Sequence, residues 1–128
     1  MSDLKPGNTY YLRIPGGGVV SQVPGRWGPN EVHIRPRDGA NNQKWRAEAD
    51  HSRFGFRNQN NQRLLGSNEN GDLQATASEL RGWESFSIST EGDHTYLSLY
   101  KDNWYNVKNE EDYLKLSDHY TPLIFELA

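Results

Sequence analysis

The sequence predicts an all-β protein, a β-trefoil of three pseudo-symmetric four-stranded repeats, from three observations. The phrase Asn41-Asn42-Gln43-Lys44-Trp45 returns as Arg81-Gly82-Trp83-Glu84-Ser85-Phe86 and as Thr121-Pro122-Leu123-Ile124-Phe125. An aromatic closing each unit, Trp45, Phe86 and Phe125, therefore recurs at about 40 residues. Each unit also opens on an alternating apolar stretch, the mark of a strand with one buried face. Finally, no segment carries apolar residues at helical spacing. In 128 residues such a period leaves room for three units around one shared core.

The repeats are expected at about Thr9 to Ala49, Ser52 to Thr90 and Asp93 to the C-terminus. First strands are predicted at Tyr10 to Ile14, Phe54 to Arg57 and Tyr96 to Tyr100. Turns follow at Pro15-Gly16-Gly17-Gly18, Gln59-Asn60-Asn61-Gln62 and Lys101-Asp102-Asn103, residues that accept positive φ or bond their own backbone in tight hairpins. Second strands return at Val19 to Val23, Arg63 to Gly66 and Trp104 to Val107, and third strands run from Glu31 to Arg35, Leu73 to Ala77 and Tyr113 to Leu116. The nearest helical candidate, Ala75 to Trp83, is interrupted by Gly82, and its Ala-Thr-Ala-Ser run reads as a strand with small outward residues. Closing such strands into a barrel removes the exposed edges that an open sheet would have to protect.

Composition agrees with one small domain. At 34% hydrophobic and 12% aromatic residues, the core must be built from few, large side chains. The chain has no cysteine, which excludes disulfides, a thiolate nucleophile and cysteine metal sites. The N-terminus Met1-Ser2-Asp3-Leu4-Lys5-Pro6-Gly7 does not read as a signal peptide and no long apolar run occurs, so a cytoplasmic protein without membrane insertion is expected. A net charge of −3 with scattered arginines argues against nucleic acid as partner.

Catalysis finds little support in the residues. His33, His51, His94 and His119 stand far apart, with no zinc-binding spacing and no nucleophile elbow. The run Glu110-Glu111-Asp112 reads as a solvated turn, because paired catalytic carboxylates must oppose each other across a cleft. No enzyme activity, cofactor or metal is expected.

Leu4-Lys5-Pro6-Gly7-Asn8-Thr9-Tyr10-Tyr11-Leu12-Arg13, the block Asp38-Gly39-Ala40-Asn41-Asn42-Gln43-Lys44-Trp45, and Phe54-Gly55-Phe56-Arg57-Asn58 with Arg63-Leu64-Leu65-Gly66 resemble the ricin-B-like lectins, in particular the small single-domain ones of fungi. Gln-x-Trp is that family's signature, and only the first unit carries it in full. The resemblance implies sugar binding through an Asp near the second strand, an aromatic on the third and the Asn before Gln-x-Trp. Asn42 matches the last. Ser21 or a neighbouring valine stands where the Asp is expected, and Arg35, Thr76 and Leu116 stand in the three units where the aromatic would be. The first unit is therefore expected not to bind galactose in the family's manner.

A replacement site is predicted in the third unit. Sugar recognition needs an aromatic face for the C–H side of a pyranose and planar amides or carboxylates for its hydroxyls. Asp102, Asn103, Trp104, Tyr105 and Asn106 supply both within one hairpin, and Tyr100, Tyr113 and Tyr120 lie in the same unit. Strand alternation sends one of Trp104 and Tyr105 outward. Secondary candidates are Arg26 and Trp27 in a Gly/Pro-rich loop, with Arg35 and Asn42. A carbohydrate-binding lectin is the reading ranked first, acting on glycans or glycoproteins. The alternatives are a β-trefoil protease inhibitor anchored by Arg26, Arg37 or Arg81, and a fascin-like protein-binding module motivated by Trp83-Glu84-Ser85-Phe86, which would need a homodimer to cross-link filaments.

Overall fold

The structure, a computed structural model, describes residues 4–26, 28–50, 53–92 and 94–128, with the side chains at 29 and 50 left aside. Trp27, His51 and the expected repeat edges Ser52 and Asp93 lie outside the described residues. The described residues form twelve strands. They are β1 Thr9–Arg13, β2 Val19–Gly25, β3 Gly28–Arg35 and β4 Trp45–Asp50; β5 Arg53–Asn58, β6 Leu64–Ser67, β7 Leu73–Ala77 and β8 Phe86–Glu91; β9 His94–Tyr100, β10 Trp104–Glu110, β11 Tyr113–Ser117 and β12 Ile124–Leu127. The helical elements among the described residues are two single 3-10 turns, Asn41–Gln43 and Gly82–Glu84.

Six strands close into a ring. β1 pairs with β4 through Tyr10 and Trp45, β4 with β5, β5 with β8 through Phe54 and Phe86, and β8 with β9. A bridge between Thr95 and Leu123 leads into β12, which returns to β1. The hairpins β2–β3, β6–β7 and β10–β11 cap one end, where Glu31 pairs with Gln74, His33 with Tyr113, and Asp72 with Lys115. This is a β-trefoil, as the sequence predicts.

Alternation along each barrel strand sends Leu12, Trp45, Phe56, Phe86, Leu97, Leu99 and Leu123 inward, all essentially without solvent contact. Phe56 lies 6.0 Å from Phe86 and 5.4 Å from Phe125, ring centre to ring centre, so the second and third units meet in one aromatic cluster. Each such ring removes roughly 150–250 Å² from water, which is how a chain with few hydrophobic residues still builds a core.

Two sequence expectations need correction. The strand register places Leu123, not Phe125, at the position of Trp45 and Phe86, since Thr95–Leu123 is the counterpart of Tyr10–Trp45 and Phe54–Phe86. Phe125, two residues on and so on the same face, is partly buried and packs edge-on against Tyr10 at 5.8 Å. The third unit thus splits between two side chains the volume that one aromatic fills elsewhere. In β7, Ala75 points inward and is fully buried, whereas Thr76 is outward.

The signature residues acquire a physical role. Gln43 is buried, donates to the Ser21 hydroxyl at 3.3 Å and the Pro36 carbonyl at 2.9 Å, and accepts the Asp38 amide at 2.9 Å. Trp45 plugs the barrel and donates its indole N–H to the Val20 carbonyl at 2.9 Å. In the second unit Glu84 takes the glutamine's place and accepts the Arg81 amide at 3.2 Å. In the third, Thr121 does so and accepts the Asn109 amide at 2.8 Å.

Candidate functional site

The β9–β10 hairpin is built by a short turn. The Lys101 amide donates to the Asn103 carbonyl at 3.0 Å, and the Asn103 side-chain oxygen accepts the Trp104 amide at 2.9 Å. Tyr100 and Trp104 are therefore directly paired across the two strands. Their rings stand nearly perpendicular, 5.5 Å apart, and each side chain is 49% exposed. Edge-to-face packing of this kind suits the ring quadrupoles and leaves broad ring surface facing solvent.

Cations brace this surface. The Arg53 guanidinium lies 4.9 Å from the centre of the Trp104 ring, and the Lys101 ammonium lies 4.6 Å from that of Trp83, itself 37% exposed. Lys101 also donates to the carbonyls of Asn68 at 2.9 Å and Glu69 at 2.6 Å, tying the β6–β7 turn to the hairpin. Behind Trp83, Gly66 leaves room for the backbone: a Cβ there would sit 2.9 Å from the Trp83 carbonyl oxygen.

The structure divides the predicted residues. Trp104 is the outward member of its pair, and Tyr105 is partly buried against the core. A hydrogen bond to the Asp102 carboxylate, with that group's charge, holds the Tyr105 phenol above its ordinary pKa. Asp102 and Asn103 are exposed at the turn beside Trp104. Asn106 is engaged at both ends, accepting the Ser98 hydroxyl at 3.0 Å and donating to the Asp118 carbonyl at 3.2 Å. Tyr113 does not join the group. It pairs with Glu110 at the far end of β10, about 20 Å from Trp104 at the rise of a strand. Tyr120 packs on Tyr96 at 4.7 Å instead.

The secondary candidates fall elsewhere. The Asn42 side chain donates to the Gln22 carbonyl at 2.9 Å, while the Asn42 backbone carbonyl accepts the Asn58 side-chain amide at 2.9 Å. Arg35 is half-exposed and reaches Asp112 at 3.5 Å. Arg26 is exposed at the β2–β3 turn. The carboxylate run in the β10–β11 turn is an ion-paired turn rather than only a solvated one: Lys108 donates to Glu110 at 2.7 Å and holds that carboxyl below its ordinary pKa. Sequence reasoning missed Trp83 and Arg53 as parts of the surface. The signal was available for Trp83, an aromatic at the middle position of the second unit's signature, where alternation from the buried Phe86 does not govern the 3-10 turn.

No protein-family model and no curated protein matches this chain. Solved structures do. A ricin B-like lectin from Macrolepiota procera, solved in complex with lactose, superimposes with a TM-score of 0.78 over 99% of this chain and 100% of that one, at 14% identity. The fold is that of the ricin B-like lectins. The BEL β-trefoil in an apo crystal form matches with a TM-score of 0.76 over 97% and 95%, at 10% identity. An endo-β-galactosidase from Clostridium perfringens that releases GlcNAcα1-4Gal matches with a TM-score of 0.79 and 13% identity; 94% of this chain corresponds to 32% of that enzyme.

Proposed function

We propose that this protein is a non-catalytic glycan-binding lectin whose site is the Tyr100–Trp104 hairpin. The observation carrying this reading is the exposed perpendicular pair of Tyr100 and Trp104, with Asp102 and Asn103 on the turn that joins them. Trp104 offers its ring to the C–H face of a pyranose. Asp102 accepts and the Asn103 amide group donates to paired hydroxyls, while Asn106 and Tyr105 hold the turn from behind. Arg53 and Lys101 keep the two tryptophans in place. The likeness to a lectin over the whole of both chains supports the reading. Such a shallow site binds weakly and gains strength through multivalent display, for which a homodimer would suffice.

The first unit takes no part in the family's manner on this account. Asn42 is consumed in tying its turn to β2, and Arg35, paired with Asp112, gives a sugar no ring to stack on. The protease-inhibitor alternative is weakened at two of its anchors: Arg37 stacks 4.0 Å over Tyr11 and pairs with Glu126, and Arg81 pairs with Glu79. A glycan array at modest protein density, with trypsin and papain inhibition assays on the same sample, tests the class. Glycan hits without inhibition are expected; inhibition without hits would overturn the proposal.

A further inference from the structure

The capped end of the barrel holds a cleft of about 580 Å³ between β3, the β6–β7 hairpin and the start of β11. That volume lies within the roughly 300–1,000 Å³ of small-ligand sites. Val32 and Leu73, both buried, line it together with the Tyr113 ring, which stands 6.4 Å from His33. Polar side chains on the lining differ in how far they are engaged, and the Asn68 side chain accepts the backbone amides of Asn70 and Asp72 at 2.9 and 3.0 Å. Glu31 and His33 are bonded to each other at 2.8 Å. The side chains of Asn70, Asp72 and Gln74, by contrast, form no hydrogen bond or ion pair with the described residues, although the Asp72 backbone is fixed by its bond to Asn68 and its bridge to Lys115.

An apolar wall with one aromatic ring, facing a carboxylate and two amides that lack internal partners, is suited to a ring with one C–H face and several hydroxyls. Mixed charge on the lining, with Arg26 beside Glu31 and Asp72, favours neither a strong anion nor a strong cation. We propose that this cleft is a second carbohydrate site, taking one uncharged hexopyranose ring against Tyr113 with its hydroxyls on Asp72, Gln74 and Asn70. The proposal deepens the glycan-binding reading and rests on it. It also gives Tyr113 a role apart from the Trp104 hairpin, and it gives a function to the clasp of Lys101 on Asn68 and Glu69, which braces one wall of the cleft from that hairpin.

The test is a set of two-dimensional amide spectra of the full chain, titrated to millimolar concentration with free glucose, galactose, mannose, N-acetylglucosamine and lactose. Saturable shifts at the amides of Asp72, Leu73, Gln74 and Tyr113 are expected with at least one sugar. Asp72→Asn and Gln74→Ala, which remove no internal bond, should each weaken that binding about tenfold, the loss of roughly one hydrogen bond, with the remaining spectrum unchanged. Shifts confined to the Tyr100–Trp104 hairpin would overturn the cleft and leave the lectin reading standing. Shifts confined to the cleft would support it and remove the hairpin as the site. Absence of shifts with every sugar would overturn both.

Discussion

Two segments of the molecule look alike in composition and differ in use. Asn41 to Trp45 and Tyr100 to Asn106 both join amides to a tryptophan at a turn. In the first, Asn42, Gln43 and the Trp45 indole all bond within the protein, and the indole is fully buried. In the second, the Trp104 ring is half exposed and only the amide of Asn106 is fully engaged. The difference teaches that the recognisable motif here marks the scaffold. The groups that can meet a ligand are those the scaffold leaves without an internal partner.

The comparison breaks most visibly at Trp45. Trp45→Ala should cost about 3–5 kcal/mol, much of the roughly 5–15 kcal/mol that holds a small domain together, as read by chemical denaturation. A smaller change would mean that the first segment is not scaffold. Gly66→Ala forces a Cβ against the Trp83 carbonyl oxygen. It should cost about 1–3 kcal/mol by overpacking, and should also perturb the fluorescence of Trp83. Asn42→Ala leaves the Gln22 carbonyl without its side-chain donor; a loss of about 1–3 kcal/mol is expected, with glycan binding unchanged.

Acid titration sharpens the contrast within the scaffold itself. Hydrogen bonding to Arg57 holds the Glu48 carboxyl below its ordinary value of 4.5, so Glu48 contributes stability present above that value and lost as pH falls through the lower folded one. Burial pushes Glu84 the other way, so its contribution is present below 4.5 and lost as pH rises through the raised folded value. Glu48→Gln should flatten the loss of stability on acidification, and Glu84→Gln should steepen it. Melting temperatures from pH 6 down to about 3 decide this.

Much of the fold was legible because alternation and turn chemistry are local signals: the strands β1, β7 and β10 begin within a residue of where apolar alternation puts them. Phe125 misled because a closed barrel compares register, not letters, and the aromatic at the end of a similar phrase belongs two residues beyond the plug position. The site was legible only in part. Trp104 with Asp102 and Asn103 could be read from one hairpin, but Tyr113 was joined to it by sequence proximity, although a full strand separates them. Trp83 and Arg53 reach the same surface from the second unit, and no local pattern encodes a contact between segments so distant in the chain.

The central claim is that Trp104 contacts the ligand and supports little else. The direct measurement is Trp104→Ala on the same glycan array, with a denaturation curve on the same preparation. Loss of the Arg53 and Tyr100 contacts should cost about 1–2 kcal/mol, so the account predicts that array binding falls to what the cleft alone sustains while the protein stays folded. Undiminished binding, or a protein that unfolds instead, would contradict it.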